Sequence, residues 1–285
     1  MKSRILRLLG DLWSLACRRN SVAVTYFNEE LNVGDLIGPY LVEKISRCDV
    51  HRAQTNLFPR LLTVGSVLES ATNNSSVWGS GSIDGSSRIN KLNPNKIYAV
   101  RGKMTLSKIR QTLPISPDLP LGDPALLMPL FYSPVVRKKH DIGIVPHYSD
   151  LSLVEQLAFE AKTKVNIIDV RSEPEVFIER MLACRRVISS SLHGLILADA
   201  YGVPNVWAKF SDRLVGGDWK FRDYYSVTDA INPAPTVILS GVDLVRAINS
   251  VPNTSQIAKY QGSLELLLDA FPLERPHRSG PPFGI

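Results

Sequence analysis

The chain has 285 residues, 44% of them hydrophobic and 21% charged, with a formal net charge of +6. That composition excludes an intrinsically disordered chain and leaves room for two modest domains with buried cores. The positive balance points to an anionic partner: nucleic acid, a phosphorylated small molecule or an acidic membrane surface. Basic residues gather at Lys2, Arg4, Arg7, Arg18 and Arg19 and again at Arg137-Lys138-Lys139-His140, and neither cluster accompanies a nucleic-acid recognition motif, so no nucleic-acid partner is expected. Cys17, Cys48 and Cys184 are an odd number without CxxC spacing. They indicate neither a zinc site nor a disulfide framework and fit a reducing compartment.

Residues 1–20 carry an apolar stripe of Ile5, Leu8, Leu9, Leu12, Trp13 and Leu15 between basic ends. Arg7 and Asp11 interrupt the run, which argues against a secretory signal, and no run is long enough to cross a bilayer. A cytoplasmic protein is expected. Its basic amphipathic helix either packs on its own domain or makes a peripheral contact with the inner face of the cell membrane.

Val22 to Phe27 then reads as a buried strand and Gly34 to Ser46 as the helix after it. Strand-like runs recur at Leu61–Val64, Ser76–Trp78 and Ile97–Val100, each ending in a Gly-rich or polar turn. A proline-rich stretch from Leu113 to Pro134 brackets Gly122-Asp123-Pro124, and a second series follows it. In that series Ile142–Pro146, Val165–Val170, Arg186–Ser189 and Asn205–Trp207 are strands, while Leu151–Lys162, Glu175–Cys184 and the segment after His193 are helices. The class is α/β, with two similar sheets in tandem and a cleft between them. The boundary falls near residues 133–140, which gives an N-terminal α/β domain over 21–136 and a C-terminal one over 137–271. The latter closes with a helix over 254–271, and 272–285 form a loose tail.

Polar clusters sit where the strands end. The most informative is Ser189-Ser190-Ser191-Leu192-His193-Gly194, where a strand runs into a helix through serines with an imidazole at the junction. In an open α/β sheet that junction is where ligands bind, so His193 is the first candidate for chemistry. A hydrogen-bonded structural histidine beside a capping serine is the alternative. The other clusters are Asn28 with Asn32-Val33-Gly34-Asp35, Trp78-Gly79-Ser80-Gly81-Ser82, Val100-Arg101-Gly102-Lys103, Leu121–Leu127 and Pro146-His147-Tyr148-Ser149-Asp150. No His/Asp/Glu set has metal-ligand spacing on one element, so no metal is expected.

The order and spacing of these pieces resemble the polysaccharide pyruvyl transferase family over residues 22 to 225. The likeness is to its shorter exopolysaccharide members, which carry N-x-G-D before a proline-containing helix. The resemblance implies two Rossmann-like domains facing a cleft, in the manner of type-B glycosyltransferases. It also implies transfer of a pyruvyl group from phosphoenolpyruvate to a sugar of a lipid-linked oligosaccharide or polysaccharide acceptor, giving a cyclic ketal and phosphate. Phosphoenolpyruvate is then a co-substrate, and no cofactor is needed.

Such a donor requires fixed cations and backbone donors in a desolvated cleft. Arg101 is the first candidate for the clamp, since a guanidinium binds carboxylate or phosphate bidentately; pairing with a carboxylate is its alternative. Gly79, Ser80 and Gly81 offer N–H groups for the floor, or form a plain tight turn. His193 matches the family's histidine in an R-L-H-G-like motif and is assigned general acid/base work. Ser191 stands where many members have arginine. This shifts anion binding toward Arg101, Lys209 and Arg213, with Ser191 itself left at the donor site.

His147, a second candidate for proton transfer, and Asp150 form a polar pair facing the cleft, although Asp150 is also placed to cap the helix from Leu151. Asp35 either orients sugar hydroxyls or caps its helix, and Asp123 reads as structural with Pro124 behind it. Trp219 and Lys220, in the aromatic and charged run 217–225, suit stacking on a sugar; loop packing explains the aromatics equally. A nucleotide-sugar glycosyltransferase, or a catalytically silent carbohydrate-binding member of a polysaccharide assembly complex, is the alternative function.

Overall fold

Short β-branched runs without polar alternation suit strands buried on both faces, and an all-parallel sheet needs helices on each side. The computed structural model describes residues 6–8, 10, 11, 21–27, 30, 32–89, 92–251 and 257–273. In them this rule builds two sheets. The first contains β1 (Ser21–Thr25), β2 (Asp49–Arg52), β3 (Arg60–Leu62), β4 (Ser75–Trp78) and β5 (Ile97–Ala99), in spatial order β2-β1-β3-β4-β5. The second contains β6 (His140–Val145), β7 (Asn166–Ile167), β8 (Cys184–Ser189), β9 (Asn205–Lys209) and β10 (Thr236–Val237), in order β10-β9-β8-β6-β7. All these strand pairs are parallel. Counted from its own first strand, each sheet runs 2-1-3-4-5. Each therefore has a switch point between its first and third strands, where connections diverge and open a crevice at the carboxyl ends.

The crossovers are helical. Helix α1 (Val33–Ser46) follows β1, α2 (Lys103–Arg110) follows β5, α3 (Leu151–Glu160) follows β6, α4 (Pro174–Leu182) follows β7 and α5 (Leu192–Ala200) follows β8. Past β9 come α6 (Trp219–Tyr225), α7 (Gly241–Ser250) and α8 (Leu264–Asp269). Helix α5 is apolar around its whole circumference, as a central helix must be, and Leu192 through Asp199 are all buried. One core cluster joins Val24, Leu61 and Trp78 of the first sheet to Val145 and Val187 of the second through α1, α4, α5 and the 3₁₀ turn Pro124–Leu130. Separate clusters line the outer faces: Leu62, Val77 and Ile97 with Leu106 and Ile109 of α2, and Ile142, Ile144 and Ile188 with Val154 of α3 and Leu244 of α7. The two sheets thus share one interior layer.

Polar ties cross the same boundary. The Val33 N–H donates to the Val170 carbonyl at 2.6 Å, and the Tyr40 hydroxyl donates to Glu175 at 2.6 Å. The Arg101 Nε donates to the Asp223 Oδ2 at 2.9 Å, with both side chains fully buried. The chain also returns to the first sheet near its end. The Trp78 indole donates to the Leu267 carbonyl at 2.8 Å and meets the Phe271 ring edge-on at 5.0 Å.

Several elements differ from the sequence reading. The helix expected over 254–271 is reduced to Leu264–Asp269 within the described residues, and the strand expected over 165–170 to Asn166–Ile167. Residues 219–225 are helical, and β2, α2, β10 and α7 are additional elements. Strand β2, Asp-Val-His-Arg, is an edge strand that needs no apolar run, and α2 exposes a polar face while burying only Thr105, Leu106 and Ile109. The amphipathic stripe at Ile5, Leu9, Leu12, Trp13 and Leu15, the tail over 274–285 and Asn28 lie outside the described residues. Within the N-terminal segment, the Asp11 carboxylate accepts from the backbone N–H groups of Gln54 and Thr55 at 2.9 and 2.8 Å.

The Arg101–Asp223 pair predicts a large penalty for breaking it from one side. Asp223 also accepts from the Thr105 N–H at 2.8 Å and the Thr105 hydroxyl at 2.6 Å. Asp223→Ala is expected to cost about 3–5 kcal/mol in urea denaturation, because it leaves a buried unpaired guanidinium. Combining it with Arg101→Met should recover most of that loss, since no buried charge then remains. An Asp223→Ala protein as stable as the parent would show that the pair carries no load.

Candidate functional site

The switch points of the two sheets face each other, and the functional side chains stand at them. After β1, Asn32 caps α1: its Oδ1 accepts from the Gly34 N–H at 3.0 Å, while its Nδ2 donates to Asp35. Asp35 accepts in return from the Asn32 backbone N–H, which closes a capping box, and it also accepts from the Phe27 N–H. Burial outweighs these bonds and the positive influence of His193, and it lifts the Asp35 carboxyl to about 6. Asp35 is therefore both a helix cap and a titratable group facing His193.

His193 arrives from the other sheet. The turn after β8 is tied by its serines: the Ser190 N–H donates to the Val145 carbonyl at 3.0 Å, the Ser191 N–H donates to the Ser189 Oγ at 3.0 Å, and the His147 N–H donates to the Ser190 Oγ at 2.9 Å. Two glycines make the imidazole's position possible. A Cβ on Gly34 would stand 2.0 Å from His193 Nδ1, and one on Gly194 would stand 2.4 Å from Ser189 Oγ. On the far side of the ring, Nε2 lies 3.5 Å from Asp123 Oδ2. Neither of those two atoms has a hydrogen-bond partner among the described residues. The other Asp123 oxygen accepts from the Ala125 N–H at 3.0 Å and caps the turn Pro124–Leu130.

His147 follows β6. Its Nδ1 is 2.8 Å from the Ser149 hydroxyl and its ring lies tilted against Tyr148 at 4.2 Å. Burial first, then the charge of Lys220, pushes its imidazole down to about 4, so it is neutral at pH 7 and suited to accept rather than donate a proton. Asp150 occupies the N-cap position of α3 but makes no cap bond. Its Oδ1 accepts from the Ser211 hydroxyl at 2.6 Å, and its Oδ2 is buried without a partner among the described residues.

The remaining candidates divide. Gly79 takes a left-handed φ of 82° and abuts Pro124; Gly81 lies against the Arg101 guanidinium, where a Cβ would come within 2.1 Å of its carbon. Ser80 is buried and its hydroxyl donates to the Gly65 carbonyl at 3.1 Å. Arg101 spends its donors within the protein, on Asp223, on the Ser66 hydroxyl at 2.7 Å and on the Ser82 carbonyl at 2.8 Å. Ser191 sits at the N-cap of α5 without a side-chain cap bond. Lys209 pairs with Asp212 at 2.6 Å in its own loop, and Arg213 donates to the Ser149 carbonyl at 3.2 Å. Trp219 packs over Gly85, and Lys220 stands among Asp35, Arg101 and His147.

Asp123 as the partner of the imidazole, and Gly34 as the space for it, are functional features that sequence reasoning missed. The Gly-Asp-Pro and N-x-G-D motifs marked both positions without indicating that they converge on one histidine. A cavity of about 630 Å³, lined in part by Asn205, Trp207, Tyr225 and Thr236, opens at the amino-terminal ends of β9 and β10. It is at the opposite end of the second sheet from His193. Among the described residues no three His, Cys, Asp or Glu side chains form a group able to hold a metal ion.

The imidazole thus touches one buried carboxylate and stands next to a second, and the sequence profile of polysaccharide pyruvyl transferases matches residues 80–208, which include Asp123, His147 and His193. Over that segment the chain is similar to the polysaccharide pyruvyl transferase family. It is 32% identical over 222 residues to an uncharacterized protein of Acanthamoeba polyphaga mimivirus, a match that spans 75% of this chain and 77% of that one. It is also 30% identical over 131 residues to the succinoglycan biosynthesis protein ExoV of Rhizobium meliloti (strain 1021), across 45% of this chain and 39% of the relative.

The site geometry yields two expectations. Gly34→Ala should displace the His193 imidazole and abolish activity while far-ultraviolet circular dichroism remains native, because the clash is with a side chain. Asp35→Asn should also inactivate yet stabilise. With its folded value near 6 against an ordinary 3.8, Asp35 adds stability that is fully present below about pH 4 and lost as pH rises through 6. The amide removes that loss, so the variant should gain on the order of 2–3 kcal/mol over the parent at pH 7 and nothing at pH 3.5. Equal gains at both pH values would assign the effect to packing. Asp199, also lifted to about 6 by burial, leaves part of the pH slope in place.

Proposed function

We propose that this protein transfers the pyruvyl group of phosphoenolpyruvate to two hydroxyls of one sugar in an exopolysaccharide precursor, forming a cyclic ketal and releasing phosphate. The observation that carries this reading is His193, held between Asp123 and Asp35 at the meeting of two sheet switch points in a chain similar to this transferase family. We place it in a type-B glycosyltransferase-like arrangement of two Rossmann-like domains, over 21–136 and 137–271.

The reaction needs a proton on the donor's methylene carbon, which becomes a methyl group. Two new C–O bonds form at the adjacent carbon, and the C–O bond to phosphate breaks there. The sugar hydroxyls release two protons; one balances the proton taken up by carbon and the other leaves with phosphate. In this reading His193 delivers the proton that the methylene carbon takes up, with Asp123 behind Nε2 stabilising the imidazolium. Neutral His147 accepts a hydroxyl proton, and Asp35 with Asp150 and Trp219 orients the sugar. The first backbone N–H groups of α5, beyond Ser191, face the donor, with Lys209 at the rim; those of Gly79 and Gly81 are spent on the Ala99 and Gly65 carbonyls and do not form the expected floor.

Phosphate release from phosphoenolpyruvate in the presence of a panel of lipid-linked oligosaccharides tests the reaction. His193→Ala should lower turnover about 10²–10⁴-fold with its melting temperature nearly unchanged. Phosphate release by the parent that needs no acceptor, or release from a nucleotide sugar in its place, would overturn the reading.

A lipid-linked acceptor is met at a membrane surface, and the basic stripe of residues 2–19 suits an anionic one. No described helix is long and apolar enough to cross a membrane. Co-sedimentation with anionic liposomes is expected, weakening with salt and absent with neutral vesicles. Equal binding to both vesicle types would assign the stripe to non-specific contact.

A further inference from the structure

Helix α6 lies where the two halves meet, and its faces show what each side chain serves. Phe221 stacks on Trp207 at 4.7 Å, and the Tyr224 hydroxyl donates to Asp199 at 2.8 Å; both point to the second half. Asp223 points to the first half, where it binds Arg101. Lys220 is three residues before Asp223 and so shares its face of the helix, one turn closer to the cleft. Its neighbours across that space are Arg101 on β5's loop, Asp35 on α1 and His147 after β6, with the His193–Asp123 pair beyond Asp35.

Every other cation of the site already has a partner. Arg101 is fully buried with Asp223, Ser66 and Ser82 on its nitrogens. Lys209 is paired with Asp212, Arg222 with Asp218 at 3.8 Å, and Arg213 is bonded to a backbone carbonyl. Lys220 as a residue is half-buried, and its ammonium has the Phe221 ring at 5.6 Å as its one close contact among the described residues. Arg101 stands near it as a second positive charge that cannot reach out, and Asp35 is placed to keep it protonated.

We propose that Lys220, and not Arg101, is the side chain that binds the phosphate or carboxylate of the donor, with Arg101 acting as a fixed buried charge behind it. The proposal rests on the donor reading given above and assigns Lys220 to the anion in place of the sugar. Burial, then the Arg101 charge, lowers the ammonium to about 8, so an arriving anion meets a cation that is poorly solvated and already close to losing its proton. Anion binding should therefore draw a proton onto Lys220 at mildly alkaline pH.

The test is calorimetric titration of the parent, Lys220→Met and Lys220→Arg with phosphoenolpyruvate and, separately, with inorganic phosphate, from about pH 7 to pH 9. The parent should bind both, more weakly as pH rises through 8, and with proton uptake near that pH. Lys220→Met should bind about 10–100-fold more weakly and without that pH dependence, as loss of a charge-assisted bond requires. Lys220→Arg should bind at pH 9 as it does at pH 7, because a guanidinium stays charged. Phosphate binding by the parent without phosphoenolpyruvate binding would refute the donor reading and leave Lys220 to be judged on the phosphate arm. Undiminished phosphate binding by Lys220→Met, or no binding of either anion by the parent, would overturn the assignment of Lys220.

Discussion

The site depends on the absence of one side chain. His193 belongs to the second sheet and Gly34 to the first, and a Cβ at 34 would lie 2.0 Å from the imidazole Nδ1. With only hydrogen there, the N-termini of α1 and α5 approach closely enough for a histidine from one half to reach two carboxylates of the other, Asp35 and Asp123. Neither half contains the centre alone. Its geometry therefore rests on the ties between halves: the backbone bond from Val33 to Val170, the Arg101–Asp223 pair and the shared core layer.

That arrangement stores electrostatic cost where it is useful. Burial raises Asp35 to about 6, lowers His147 to about 4 and lowers Lys220 to about 8. Desolvation is the largest cause for each, and it brings a carboxyl and an ammonium toward neutrality from opposite sides. The carboxylate that ties the two halves together is treated differently. Asp223 accepts three hydrogen bonds, and among the described residues the single ion pair in which both partners are fully buried is the one it makes. Asp123 is divided between the two regimes: one oxygen caps a turn in the ordinary way and the other is left facing His193.

How much of this the sequence disclosed follows from the range of the interactions. The α/β class and the two tandem sheets were legible because buried strands and amphipathic helices leave local patterns, and His193 stood out because strand-to-helix junctions are where such sheets bind ligands. Asp123 read as structural, since Asp-Pro at a helical start is a local signal. Its second oxygen was invisible, because its partner is seventy residues away. The same limit applies to Arg101: its position at a strand end suggested a clamp, whereas Asp223, on a segment whose aromatics masked a seven-residue helix, decides where the guanidinium points. Asp150 illustrates the reverse. Its place before Leu151 promised a cap, and the hydroxyl of Ser211 on another loop took the carboxylate instead.

The repeated strand order gives these particulars a common cause. A 2-1-3-4-5 sheet opens its crevice after the first and third strands, and two such sheets facing each other bring four loops to one place. Asp35 lies beyond β1, His147 beyond β6 and His193 beyond β8, so three of the polar groups follow directly from topology. Arg101 and Asp123 come after β5, at the sheet's edge, and reach the same place only because α6 bridges to the second half through Asp223 and the 3₁₀ turn packs under α5. Topology thus fixes where polar groups can gather, while the packing of two short elements against the opposite half decides which carboxylate and which cation join them.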